Sequence, residues 1–250
     1  MVLPSYHKSE VALVGTAAWG GWRIASRRPA VEGSRREVVV ADLKALSKAI
    51  ESGNRGTAVR LTSEAIEQEL PPQAILDAMT AAMSEIGGRF QRSEIYVPEM
   101  LIAARAMKEA TAVLEPVLVQ AGIRPEHTAV LGTINGDLHD IGKNLVGMMW
   151  RGANLKVIDL GTDVPAERFV EAAREHDADV VGISALLTTT MTGMGEVVAA
   201  LRAAGLRAMV IVGGAPVTEE YAREIGADGW APEAGSAATV ALDLIASNRS

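Results

Sequence analysis

The chain has 250 residues, 24 Lys and Arg against 31 Asp and Glu, a net charge of −7, no cysteine and four histidines. The lack of cysteine excludes disulfides, thiolate–zinc sites, iron–sulfur clusters and a cysteine nucleophile, and no apolar run reaches the roughly 18 residues of a membrane span. An acidic chain with 4% aromatic residues also lacks the clustered cations and stacking rings of a nucleic-acid binder. In chain order, residues 1–36 come first. They hold Lys8, Arg23, Arg27, Arg28, Arg35 and Arg36 against Glu10 and Glu32, a local charge of +4 that leaves −11 for the rest. They contain a short apolar stretch at 11–22 but no convincing cleavage site, and read as a flexible basic extension rather than a leader peptide.

Residues 37–123 have a helical apolar period. Leu43, Leu46 and Ile50 mark one stripe, and Leu61, Ala65 and Ile66 a second, after a break at Gly53, Asn54 and Gly56. Ile75, Leu76, Met79, Met83 and Ile86 mark a third, opened by Pro71 and Pro72 and expected to stop at Gly87 and Gly88. A fourth helix is expected over 98–118. Four helices with short connections predict an antiparallel bundle.

Residues 124–250 change character. Short apolar runs at 128–134, 156–160, 179–184, 208–212 and 229–231 read as strands. Helices are expected between them at 141–151, 166–175, 191–204 and 218–225, and a last one at 236–246. Strand–helix alternation at this spacing predicts an α/β unit, a flavodoxin-like five-stranded parallel sheet of order 2-1-3-4-5. Ligands of such sheets bind beyond the carboxyl ends of the strands, where the order reverses. The loops after strands one, three and four are therefore the ones to inspect.

The first of these loops holds Asp137, His139, Asp140, Ile141 and Gly142, with His139 the one histidine placed at the ligand edge. A carboxylate two positions from an imidazole can fix its tautomer and raise the basicity of the other ring nitrogen, as a metal-binding histidine requires. The second loop offers the hydroxyls of Ser184, Thr188, Thr189 and Thr190, and the third offers Gly213 and Gly214. Singly, these are a surface turn, a helix N-cap and a plain turn. Together they fall on adjacent loops at the one edge where the fold places a ligand.

The run from Asp137 through His139 to Gly142 resembles the Asp-x-His-x-x-Gly signature of cobalamin-binding domains. Ser184 with Leu186, and Gly213 with Gly214, resemble that family's two further motifs in the same order. Residues 37–123 resemble the four-helix cap that precedes such domains in methionine synthase and in corrinoid methyl-carrier proteins, including the connection from Gly87 to Glu99. The resemblance implies a cobalamin cofactor bound base-off and histidine-on. His139 would be the lower axial ligand of cobalt, with Asp137 and Thr190 forming a hydrogen-bonded relay behind it. Asp140, Ile141, Gly142, Ser184, Leu186, Thr188, Gly213 and Gly214 would contact the cofactor or line the slot for its nucleotide tail. A residue near Phe90, Tyr96 or Met100 would shield the upper face, whereas the methionines of the bundle otherwise read as core filling.

The implied role is that of a methyl carrier in the cytoplasm. A substrate-specific methyltransferase would load the cobalt, a second methyltransferase would pass the methyl group to tetrahydrofolate or a similar acceptor, and a reductive activator would rescue oxidised cofactor. Neither nucleic acid nor membrane is an expected partner. A catalytic barrel needs about 250 residues of its own, so the chain reads as a carrier subunit rather than a complete enzyme. A subunit of an adenosylcobalamin isomerase would not be expected to carry the helical cap. A cobalamin-dependent regulator would add a DNA-binding helix-turn-helix, and a phosphoacceptor receiver would need an aspartate where Ser184 stands.

Overall fold

The computed structural model describes residues 42–248, all within one compact unit, Val39–Ser250. The basic extension at 1–36 lies outside the described residues. Four helices come first: α1 (Leu43–Glu51), α2 (Arg55–Glu67), α3 (Pro72–Gln91) and α4 (Val97–Gln120). Their starts follow from local chemistry. Asp42 accepts the Lys44 and Ala45 amides at 2.9 and 3.1 Å, and Asn54 accepts that of Thr57 at 3.1 Å.

Their ends share one device. The residue after each C-cap adopts positive φ at Gly53, Glu69, Ser93 and Gly122, and two amides fold back onto the last turn. After α3, for example, Ser93 N–H donates to the Phe90 carbonyl and Glu94 N–H to that of Arg89. Two of the four positions lack glycine, and their stop was invisible to a reading based on Gly and Pro.

The expected stop at Gly87 and Gly88 is the clearest correction, because α3 continues to Gln91. Gly87 serves packing instead. A Cβ there would lie 2.9 Å from Met149 Cε and 3.0 Å from the Gly235 carbonyl oxygen, and one on Gly235 would lie 2.7 Å from the Gly87 oxygen. The two glycines let α3 cross the last helix of the chain almost backbone to backbone. Gly152 likewise admits Met83. Met79, Met83, Met100 and Met107 are all buried in a core that runs on into the following α/β unit.

That unit contains β1 (His127–Thr133), α5 (Ile141–Gly152), β2 (Leu155–Asp159), α6 (Ala166–Glu175), β3 (Val180–Ser184), α7 (Thr188–Met191), α8 (Met194–Ala203), β4 (Met209–Gly213), α9 (Glu219–Glu224), β5 (Gly229–Ala231) and α10 (Ala234–Asn248). The sheet order is β2-β1-β3-β4-β5 with every pair parallel, as expected. Alternation along the strands assigns the two faces. Leu131, Val180 and Ile211 pack towards α5, α10 and the four-helix module, while Val130, Val181 and Val210 pack towards α6 and α8. On the first face β3 presents Gly182, where a Cβ would lie 2.5 Å from the buried Trp150 ring.

One element differs from the expected helix at 191–204. The chain makes the short α7, turns at Thr192 and Gly193, and only then begins α8. The turn packs Gly193 against Ile134, 3.3 Å from where its Cβ would be, and places Thr190 beside the loop after β1. Among the described residues, no helix is long and apolar enough to cross a membrane.

Candidate corrinoid site

Asp137 is the centre of the loop after β1. It is fully buried, and both oxygens are saturated with donors. Oδ1 accepts the His139 backbone N–H at 3.0 Å and lies 2.7 Å from His139 Nδ1. Oδ2 accepts the Leu186 and Leu187 amides at 2.7 and 3.3 Å and the Thr190 hydroxyl at 2.8 Å. One carboxylate thus ties the loop after β1 to the loop after β3. Burial pushes the Asp137 carboxyl up, but the Leu186 and His139 amides, the His139 ring and the Thr190 hydroxyl outweigh it and hold it far below the usual carboxylate range.

An ionised Asp137 against Nδ1 keeps the ring proton there and leaves the lone pair on Nε2. The rest of the loop is pinned as well. The buried Thr133 hydroxyl donates to the His139 carbonyl at 3.0 Å, and Asp163 accepts the Gly136 amide at 2.7 Å, where φ is +79°. His139 itself stays half exposed, at 51% of its side chain. Four exposed apolar side chains share its two loops, Leu138 and Ile141 on the first, Leu186 and Leu187 on the second.

A cleft of about 560 Å³ opens beside His139, between the carboxyl ends of β1, β3, β4 and β5 on one side and α5 and α10 on the other. Of the residues singled out from sequence, His139, Asp140, Ile141, Gly142, Ser184, Leu186, Gly213 and Gly214 line it. Asp137 and Thr190 stand behind His139 rather than in the cleft. Thr188 opens α7, is exposed and is not brought to the cleft wall. Gly214 has φ +127°, and a Cβ on it would lie 1.8 Å from the Ala185 carbonyl oxygen, so no side chain fits. In the helical module Met100 is wholly buried in the core and cannot cover a ligand, whereas Tyr96 is 68% exposed.

Sequence reasoning missed several lining residues. Lys143 is buried, with Nζ 2.8 Å from Asn144 Oδ1 and 2.6 and 2.7 Å from the two Asp159 oxygens. Burial pushes the Asp159 carboxyl up, but the Lys143 ammonium and the Gly161 amide more than compensate, and its pKa falls below the usual value. Trp150, whose Nε1 donates to the Ala237 carbonyl at 3.0 Å, walls the cleft, as does Glu233. A lysine directly after the glycine of the His139 loop was the signal for the first. The others carry none, because they come from separate elements.

Among the described residues, no group of three or more His, Cys, Asp and Glu could hold a bare metal ion. The imidazole is suited to a metal whose other ligands arrive with it. An apolar rim around one outward nitrogen, above a narrow cleft lined by glycine and alanine, fits a large flat macrocycle with a trailing tail.

Models of the B12-binding domain match residues 127–239 and, in a second form, 42–115. A corrinoid protein of Desulfitobacterium hafniense (strain Y51) is 39% identical over 214 residues, which is 83% of this chain and 99% of that protein. The chain belongs to the corrinoid proteins. Its cofactor is cobalamin or a related corrinoid. The dimethylamine corrinoid protein of Methanosarcina barkeri is 38% identical to this corrinoid protein over 207 residues, 82% of this chain and 97% of that one. Among solved structures, a cobalamin-binding protein from Desulfitobacterium hafniense DCB-2 aligns with a TM-score of 0.71 and 30% identity, over 81% of this chain and 98% of that one. A chain of the methanol:cobalamin methyltransferase complex MtaBC from Methanosarcina barkeri aligns with a TM-score of 0.73 and 29% identity, over 85% and 81%.

Proposed function

We propose that this corrinoid protein carries a methyl group on cobalt from a substrate-specific methyltransferase to a second methyltransferase, which acts on tetrahydrofolate or a similar acceptor. The observation that carries this reading is the saturated Asp137, which orients His139 and leaves Nε2 as the free ligand atom beside the cleft. When bound, the corrinoid supplies a cobalt able to take up and release a methyl group.

The residues of the chain do the rest. His139 would hold the cobalt through Nε2. Asp137 holds its ring in one tautomer, and Thr190 fixes Asp137 from behind, so a proton arriving at this relay would weaken the ligand. Ser184, Gly213 and Gly214 line the slot for the nucleotide tail. Asp140, Ile141, Gly142 and Leu186 form the rim of the ring site. Residues 37–123 act as the cap and 124–250 as the cofactor domain. The methyl donor is a small methylated compound of the kind its relatives are named for, a methylamine or methanol. The loading enzyme, the receiving enzyme and a reductive activator are the partners, and the cytoplasm is the place of work. The four-helix module favours this role over an isomerase subunit.

The test is reconstitution of the purified protein with hydroxocobalamin, followed by absorption spectroscopy and by labelling with ¹⁵N-histidine. His139→Ala is expected to retain corrinoid through the tail but to lose the spectral signature of a nitrogen lower ligand. A variant spectrum identical to that of the parent would refute the assignment of His139. Failure of methyl transfer with tetrahydrofolate, but success with another acceptor, would refute only the named acceptor.

A further inference from the structure

Glu233 stands at the turn from β5 into α10 and is one of the residues that line the cleft. Its neighbours in that lining are apolar: Trp150, Ala231, Pro232, Ala234 and Ala237. The other charged side chains of the cleft are already engaged. His139 is tied to Asp137, Asp140 accepts from Asn144 at 3.0 Å, and the three protons of Lys143 are directed to Asn144 and Asp159. Among the described residues, nothing donates a hydrogen bond to the Glu233 carboxylate or pairs with it.

A partly buried carboxylate with no donor from the chain keeps only part of its water, so a donor brought by a ligand stabilises it. Burial accordingly pushes the Glu233 carboxyl above its usual value. An acidic residue before a helix is favourable for the helix dipole, but no amide of the first turn of α10 reaches this one. Its Oε1 instead lies 3.5 Å from where a Cβ on Gly235 would be, beside the bare backbone at the start of α10. Such a group repels a phosphate and attracts neutral N–H or O–H donors. A corrinoid is rich in both kinds, in the amides around its ring and the ribose hydroxyls of its tail.

We infer that Glu233 is a further corrinoid-binding residue, whose carboxylate accepts a hydrogen bond from a neutral donor of the cofactor, either a corrin side-chain amide or a ribose hydroxyl. This assignment rests on reading the cleft as the corrinoid site.

The test measures equilibrium binding of hydroxocobalamin, and of aquocobinamide, which keeps the ring amides but lacks the nucleotide. Absorbance is the readout, with quenching of tryptophan fluorescence as a second signal. Glu233→Ala is expected to weaken hydroxocobalamin binding by about tenfold or more, the scale of one hydrogen bond to a charged acceptor. Glu233→Gln, which keeps an acceptor oxygen and the side-chain shape, should lose less. If Glu233→Ala weakens hydroxocobalamin alone, the donor is the ribose. If it weakens both ligands equally, the donor is a ring amide. Binding of both ligands within twofold of the parent would overturn the inference while leaving the cleft reading intact. Failure of the parent protein to bind either corrinoid would overturn the cleft reading and this inference with it. Thermal melts of the ligand-free variants guard against a folding defect, and Glu233→Met, which keeps the side-chain length but no acceptor oxygen, decides should Glu233→Ala be unstable.

Discussion

Asp137→Asn removes one charge and changes almost no volume, so its effect isolates the hydrogen bonds. Each Asp137 oxygen faces only donors: the His139 amide and ring on one side, and the Leu186 and Leu187 amides and Thr190 hydroxyl on the other. An asparagine must turn its NH₂ towards one of these sets. Towards Leu186 and Leu187, it leaves two partly buried amides without an acceptor, and only Thr190 can rotate to adapt. Towards His139, it leaves one amide unpaired and presents a donor to Nδ1, which moves the ring proton to Nε2 and removes the lone pair that would bind cobalt. With about 1–3 kcal/mol for each orphaned group, the variant should lose roughly 1–3 kcal/mol of stability in the second orientation and roughly 2–6 kcal/mol in the first. Urea unfolding of the ligand-free protein measures this, and the spectrum of the reconstituted protein reports whether the nitrogen ligand persists. A variant within 0.5 kcal/mol of the parent that also keeps the parent spectrum would refute the reasoning, because the carboxylate would then be replaceable by a group that cannot satisfy its donors.

The same carboxylate sets a pH dependence. Its pKa is lowered on folding, so its contribution is fully present above the unfolded value of about 4 and is lost as the pH falls towards the folded value. The stability gap between the parent and Asp137→Asn should therefore be constant from about pH 5 to 8 and narrow below about pH 4, as followed by urea unfolding at each pH. The two adjacent glycines of α3 should respond oppositely to alanine. Gly87→Ala should lower the melting temperature, because its Cβ meets the Gly235 backbone, while Gly88→Ala meets only the flexible Arg92 tip at 3.1 Å and should gain about 0.5–1 kcal/mol of helix propensity. Equal effects at the two sites would contradict the packing role of Gly87. Lys143→Met takes the ammonium from Asp159, which keeps the Gly161 amide and part of its solvent, and should cost about 1–2 kcal/mol in chemical denaturation. Adding Asp159→Leu should recover a good part of that, and a double variant no better than the single one would show that the ion pair is not the reason for the loss.

The sequence by itself determined the elements and their order, because the signals for these are local. Apolar residues such as Ile75, Met79 and Met83 recur at helical spacing within a few turns, and the strand runs alternate with helices at a period that a right-handed parallel sheet alone satisfies. From that order followed the edge where Asp137, His139, Ser184 and Gly213 meet, since strands one, three and four lie side by side. Tertiary structure decided what depends on a partner distant in the chain. Gly87 looked like a helix stop because a missing side chain means either conformational freedom or room for a neighbour. Only the position of Gly235 shows that it means room. The four threonine and serine hydroxyls after β3 looked alike in sequence. The break between α7 and α8 turns Thr190 onto Asp137 and leaves Thr188 outside the cleft. The Lys143–Asp159 pair and the unpartnered Glu233 were equally invisible. A charged side chain is named by its sequence, but whether it is buried, paired or left seeking a donor is fixed by what folds against it.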